Sequence, residues 1–160
     1  MKKLLLIAAA ILVIGAATTG RRKPVGIGGF SEDNTDDRFL INYEDYEESY
    51  SEEQVTNAIR EIMDMEEFGR KLYACPYIGS TKNKSIRLGQ LISKRKRQGK
   101  KPYSKLFLLA RVTSMSKIAE LEKYFIQKFG LELVLENRTT EPNGVVPATE
   151  YYLYIAVCEN

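Results

Sequence analysis

A mixed α/β fold of the α+β kind follows from three observations. Helical apolar stripes and short apolar runs alternate along the chain. Gly69, Gly99 and Gly130 each follow a helical stripe, where a helix stop belongs. The most apolar runs, Lys105 to Thr113 and Tyr151 to Val157, are short and rich in β-branched and aromatic residues. A chain of 160 residues suits one domain, and 44% hydrophobic against 28% charged residues supplies one core.

The elements follow in order. Met1-Lys2-Lys3 precedes a charge-free run from Leu4 to Thr19, and Arg21, Arg22 and Lys23 follow. As a helix this run spans ~24 Å, short of the ~30 Å of a bilayer core. Gly15-Ala16-Ala17 fits a cleaved signal peptide. The basic cluster beyond fits a retained anchor. Either way the chain is expected to be membrane-anchored or exported. Pro24 to Phe30 reads as a glycine-rich linker, and Ser31 to Tyr50 as an acidic arm without regular structure. The expected division is residues 1–20 as signal or anchor, 21–50 as linker and arm, and 51–160 as one globular domain.

In the globular part a helix is predicted from Glu52 to Phe68. Ser51 and Gln54 form its capping box, and Val55, Ile59, Ile62 and Met63 its inner face. Lys71-Leu72-Tyr73 and Pro76 to Gly79 read as two short strands, with a polar turn at Ser80 to Asn83. A second helix spans Ser85 to Gln98, with Ile86, Leu88, Leu91 and Ile92 inward. The strand Lys105 to Thr113 follows. A third helix, capped by Ser116, runs to Phe129 on an Ile118, Leu121, Phe125 and Phe129 stripe. Leu131 to Leu135 reads as a strand, Asn137 to Thr149 as a loop, and Tyr151 to Val157 as the last strand.

Charge is sorted along the chain, and the net value of +3 conceals this. Ser31 to Gly69 holds 14 acidic residues and two basic ones. Arg70 to Arg111 holds 13 basic residues and no acid. Such a block points to an anionic partner, nucleic acid above all. Lys82, Lys84, Lys94, Arg95, Lys96, Arg97, Lys100, Lys101 and Lys105 are the expected contacts to a nucleic-acid backbone. The acidic helix is expected to have the option of folding over this basic face. The chain has no histidine and two cysteines, Cys75 and Cys158, which excludes a Cys/His zinc site. The cysteines read as small buried hydrophobes, or as a pair if their strands adjoin. Asn137-Arg138-Thr139 fits a glycosylation sequon.

The order Lys71-Leu72-Tyr73, Tyr77-Ile78-Gly79, Arg87 on a helix, a strand, Glu122 on the next helix and Asn137 beyond resembles the GIY-YIG nuclease domain over about residues 71–138. Tyr77-Ile78-Gly79-Ser80-Thr81-Lys82-Asn83 is the strongest local match, and Leu121 to Ile126 the second. The first triplet departs from the family's Gly-Ile-Tyr, the spacer to Tyr77 is short, and the family's histidine is absent. The resemblance implies a small three-stranded core sheet flanked by helices. It also implies a metal-dependent endonuclease that hydrolyses phosphodiester bonds in DNA. Glu122 would hold Mg²⁺ or Mn²⁺, Arg87 would fork onto a phosphate oxygen, and Tyr73 or Tyr77 would move a proton. Asn137 would brace the site. Two alternatives stand beside it: a non-cleaving nucleic-acid or anion-binding module of the same fold, and a membrane-attached structural component of a particle.

Overall fold

The computed structural model describes residues 34–137, 139 and 147–160. The apolar run from Leu4 to Thr19 and the basic cluster after it lie outside the described residues. Among the described residues, no helix is long and apolar enough to cross a membrane.

The chain is a mixed α/β fold. It runs β1 (Thr35–Asp36), β2 (Ile41–Asn42), a 3-10 turn (Tyr43–Asp45) and α1 (Glu48–Asp64). It continues as β3 (Glu66–Glu67), β4 (Arg70–Lys71), β5 (Tyr73–Thr81) and α2 (Lys84–Arg97), then β6 (Lys105–Val112), α3 (Met115–Phe129) and β7 (Tyr151–Glu159). The main sheet has the order β1-β6-β7-β5, with β2 also on β6. Strand β7 is the centre and pairs antiparallel with both β5 and β6. The two short N-terminal strands lie parallel on the outer edge of β6.

Period two along the strands divides the apolar residues into two cores. Leu153, Ile155 and Val157 of β7 join Phe107, Ile78 and the inner faces of α1 and α3. Tyr152, Tyr154, Ala156 and Cys158 join Leu106, Leu108, Tyr77 and the inner face of α2. The sheet is therefore covered on both sides, by α1 and α3 on one and by α2 on the other. The acidic helix consequently lies across the sheet from the basic helix. It does not fold over the basic face.

Several expected elements shift, each for a local reason. Helix α1 begins at Glu48, and Ser51 lies inside it, where its hydroxyl donates to the Tyr43 carbonyl at 3.0 Å. That bond anchors the arm, and Tyr43 is buried against the α1 face. The arm from residue 34 is thus part of the fold, not irregular. Gly69 does not stop α1. With Phe68 it forms the turn between β3 and β4, both at positive φ (53° and 74°), as a two-residue hairpin of the primed kind requires.

Asn83 caps α2 by accepting from the Ile86 N–H at 3.2 Å, and Ile86 itself faces solvent, 55% exposed. Gly99, at φ 66°, ends α2. The Lys100 N–H returns to the Arg95 carbonyl at 3.0 Å, a left-handed C-terminal closure. Ser114, not Ser116, caps α3 by accepting from the Lys117 N–H. Residues 131–135 form no strand: Leu131 is 96% exposed, and Val134 turns at φ 51°.

Asp36 fastens the arm to β6. Its carboxylate accepts from the Arg38 Nε and backbone N–H and pairs with Lys105 at 3.1 Å. The Arg38 hydrogen bond, helped by Lys105, holds the carboxyl well below the usual carboxylate range. A folded pKa depressed in this way stabilises above the unfolded value of ~3.9, and the contribution is lost as pH falls below it. Asp36→Asn is expected to lower the melting temperature near neutral pH. The gap from wild type should close as pH drops through about 4 toward 2.

Candidate nucleic-acid site around strand β5

Strand β5 is the edge strand on the side of the sheet away from the arm. Its centre, Tyr77-Ile78-Gly79-Ser80, pairs with β7 in the register Tyr77↔Ala156, Ile78↔Ile155, Gly79↔Tyr154 and Ser80↔Leu153. Tyr154 therefore lies against Gly79, and this explains the glycine. A Cβ built at residue 79 would overlap the Tyr154 hydroxyl and crowd the Tyr77 ring. With that space open, the Tyr77 and Tyr154 rings stack, their centroids 6.3 Å apart and planes 12° from parallel.

Arg87, one turn into α2, completes this side. Its Nε donates to the Tyr154 hydroxyl at 2.8 Å, and its guanidinium carbon lies 5.9 Å from the ring centre. Tyr154 is fully buried. Burial pushes its hydroxyl far above the ordinary tyrosine value, with Arg87 opposing and the Tyr77 and Glu122 charges adding to the rise. Tyr154 is thus a neutral phenol at any ordinary pH, able to orient Arg87 and unsuited to act as a base.

Glu122 approaches from the opposite face. It projects from α3, is 4% exposed, and its Oε2 accepts from the Ser80 hydroxyl at 2.5 Å. Arg87 and Glu122 thus flank β5 at the adjacent residues Gly79 and Ser80, one from each layer. Glu122 and Ser80 offer oxygen ligands only, the chemistry that Mg²⁺ and Mn²⁺ prefer. One carboxylate leaves most coordination positions to water and substrate, as is usual for Mg²⁺. The donor set fits such an ion.

Asn137 braces the outer edge. Its Oδ1 accepts from the Ile78 N–H at 3.2 Å and its Nδ2 donates to the Ile78 carbonyl at 2.6 Å. Glu136 N–H adds a bond to the Pro76 carbonyl at 2.9 Å. This short stretch supplies the hydrogen bonds a further strand would give. Asn137 is buried with both ends of its amide engaged. Asn137→Ala is expected to cost about 1–3 kcal/mol, because the Ile78 N–H is left buried without a partner. Chemical unfolding checks it.

Between α2 and Glu136, Asn137 and Thr139 lies a cavity of about 270 Å³, also lined by Tyr77, Lys94, Arg95, Lys100 and Tyr103. Arg95 forms its floor rather than a contact surface. It is buried, donates to the Lys101 carbonyl at 2.5 Å, lies 4.6 Å from the Tyr103 ring centre and pairs with Glu136 at 3.3 Å. Lys100 also pairs with Glu136, at 3.1 Å. Burial raises the Glu136 carboxyl, and Lys100 and Arg95 more than offset that, for a net lowering.

The expected site residues separate accordingly. Tyr77, Arg87, Glu122 and Asn137 converge on the middle of β5. Tyr73 does not: it packs edge-on against Phe107 at 5.4 Å in the α1/α3 core. The reason is a bulge after Ala74, which reverses the side-chain alternation before Tyr77. The same continuity means that Lys71-Leu72-Tyr73 and Tyr77-Ile78-Gly79 are not on two paired strands. The strand paired with Tyr77-Ile78-Gly79 is β7, which carries Tyr152-Leu153-Tyr154.

Of the expected basic contacts, Lys82, Lys96, Arg97, Lys100 and Lys101 are exposed, and Lys84 and Lys94 partly so. Lys84 lies over the Tyr152 ring at 5.4 Å. Arg95 is internal. Lys105 sits across the sheet, held by Asp36 and over Phe107. In the sequence Tyr103 stands only as a loose substitute for the family's histidine, Ser80 lies inside the strongest local match without a role of its own, and Tyr154 and Glu136 are unmarked. The partner of Tyr154 depends on a register no local pattern encodes. Among the described residues, no group of three or more acidic, cysteine or histidine side chains gathers as a metal cluster. No protein family, curated protein or solved structure matches this chain.

Proposed function

We propose that this chain is a metal-dependent endonuclease of GIY-YIG-like type, with its reaction centre at the middle of β5. One observation carries the reading: Arg87 is fixed on the Tyr154 hydroxyl beside Gly79 while Glu122 meets Ser80 on the other face of the same strand. A guanidinium and a carboxylate held on adjacent residues of one edge strand are the two groups that phosphodiester hydrolysis needs from a protein. In this reading β7 takes the place expected of Lys71 to Tyr73, and Tyr77 and Tyr154 form the tyrosine pair.

The roles follow from burial and charge. Arg87 is partly exposed and carries the fork that meets a phosphate oxygen. Tyr154 is a positioning residue, since it is buried and its hydroxyl accepts from Arg87. Tyr77 is buried as well, but it borders the cavity beside α2 and is the member of the pair assigned the proton-moving role. Glu122, with Ser80 fixing one oxygen, would hold Mg²⁺ or Mn²⁺. Such an ion supplies charge neutralisation and a more acidic bound water. Lys96, Arg97 and Lys101 hold the nucleic-acid backbone without reading its sequence. The apolar run at the N-terminus adds a membrane-held or exported setting to the proposal.

The test is nicking of supercoiled plasmid by the full chain in mild detergent, with Mg²⁺ or Mn²⁺. Metal-dependent nicking that chelation stops is the expected result. The second reading, a non-cleaving nucleic-acid-binding module, is favoured by the exposed cations on and after α2. It predicts binding that weakens with salt and no nicking. In both readings, charge reversal at Lys96, Arg97 and Lys101 should weaken DNA binding. The salt dependence should flatten by roughly 1 in log–log slope per lost contact.

A further inference from the structure

Strand β5 has one irregularity, and both cysteines lie beside it. Ala74 pairs with Cys158 and Tyr77 with Ala156, so Cys75 and Pro76 together face the single residue Val157. The additional residue turns Cys75 to the α2 side of the sheet, where it packs against the cluster that contains Cys158. Cys75 has a φ of 55°, a left-handed value that non-glycine residues keep only where their surroundings impose it. The two cysteines are free thiols, Cys75 half-buried and Cys158 buried.

We infer that Cys75 and Cys158 are a redox pair that closes to an intrachain disulfide across β5 and β7. Cys75 lies one residue off direct pairing with Cys158; a strand spacing of about 4.8 Å and a rise of about 3.4 Å per residue set such α-carbons about 6 Å apart, within the span a disulfide bridges. Burial holds the Cys158 thiol up at about 11, the neighbouring Cys75 adds to this, and Arg95 and Lys101 act in the opposite sense. The Cys158 Sγ donates to the Lys101 carbonyl at 3.7 Å, and Cys75 packs on the same side of the sheet.

The order of events follows from access. The more exposed Cys75 thiolate attacks a sulfur of a small-molecule disulfide and releases one thiol. Cys158 then gives up its proton, attacks the Cys75 sulfur and expels the second thiol. Two protein thiols are oxidised and one small disulfide is reduced to two thiols. The bond would clamp the edge strand two residues before Tyr77, where β7 is its one strand neighbour in the described sheet. Nothing in this requires the nuclease reading.

The experiment treats the native full chain with oxidised glutathione, quenches with an alkylating agent under unfolding conditions, and maps the peptides by mass. The expected product joins the peptide of Cys75 to that of Cys158, with neither cysteine alkylated. In Cys158→Ser the reaction should stop at a glutathione adduct on Cys75. A stable adduct on Cys75 in the wild type, with Cys158 alkylated, would overturn the inference. So would alkylation of both cysteines after oxidation.

Discussion

Glu122→Gln is expected to remove metal-dependent cleavage by a factor of about 10² or more while leaving DNA binding within a few fold. The change keeps the size of the side chain and the acceptor that Ser80 uses. It removes the charge that a divalent cation needs. Glu122 is nearly buried and its oxygen meets Ser80 at 2.5 Å, so a neutral amide can keep that contact. Fold is therefore preserved and chemistry is lost. Arg87→Ala should cause a comparable loss, because it removes the guanidinium and leaves the buried Tyr154 hydroxyl without its donor. Single-turnover cleavage beside filter binding separates the two effects. Loss of binding together with cleavage in Glu122→Gln would count against its assignment as a metal ligand.

Gly79→Ala is the second large effect. No positive φ is involved at this position; the constraint is space alone. The added methyl group would occupy the position of the Tyr154 hydroxyl and press on the Tyr77 ring. The Tyr154 ring is fully buried at the centre of the sheet, so it has little room to retreat. A destabilisation of about 3 kcal/mol is expected, at the upper end for overpacking one methyl group. Because Arg87 is fixed on that hydroxyl at 2.8 Å, activity measured on the folded fraction should fall as well. Gly69→Ala offers the contrast. Its site is open, and only its φ of 74° opposes the change. It should cost roughly 1 kcal/mol and leave activity unchanged. Urea unfolding of both variants beside wild type checks this.

Much of the architecture was legible in the chain because it is written locally. Helix α2 carries its own apolar face and its Gly99 closure, while its Asn83 cap read only as part of a polar turn. Strand β6 is a continuous apolar run, and α3 shows a clear stripe. Arg87, Glu122 and Tyr77 were legible as members of an ordered set. What was hidden depends on long-range pairing. The partner of Tyr77-Ile78-Gly79 is more than seventy residues away in sequence, on β7. A one-residue bulge at Cys75 moved Tyr73 to the far side of the sheet, and no composition rule marks such a bulge. The acidic arm looked unstructured because its strands are two residues long. Their stability comes from Asp36, Arg38 and Lys105 rather than from propensity. Arg95 read as one more surface cation. It became internal because the chain after α2 folds back and presents the Lys101 carbonyl and the Tyr103 hydroxyl to it.

The two tyrosines are separated by the cleavage rate of Tyr154→Phe against Tyr73→Phe, each measured with its DNA affinity. Tyr154 lies under Arg87 beside β5, and Tyr73 lies in the opposite core. Tyr154→Phe should slow the cleavage step by ~10-fold or more with affinity unchanged, and Tyr73→Phe should cleave as wild type does. A slow Tyr73→Phe beside a fully active Tyr154→Phe would contradict the assignment of β7 to the site.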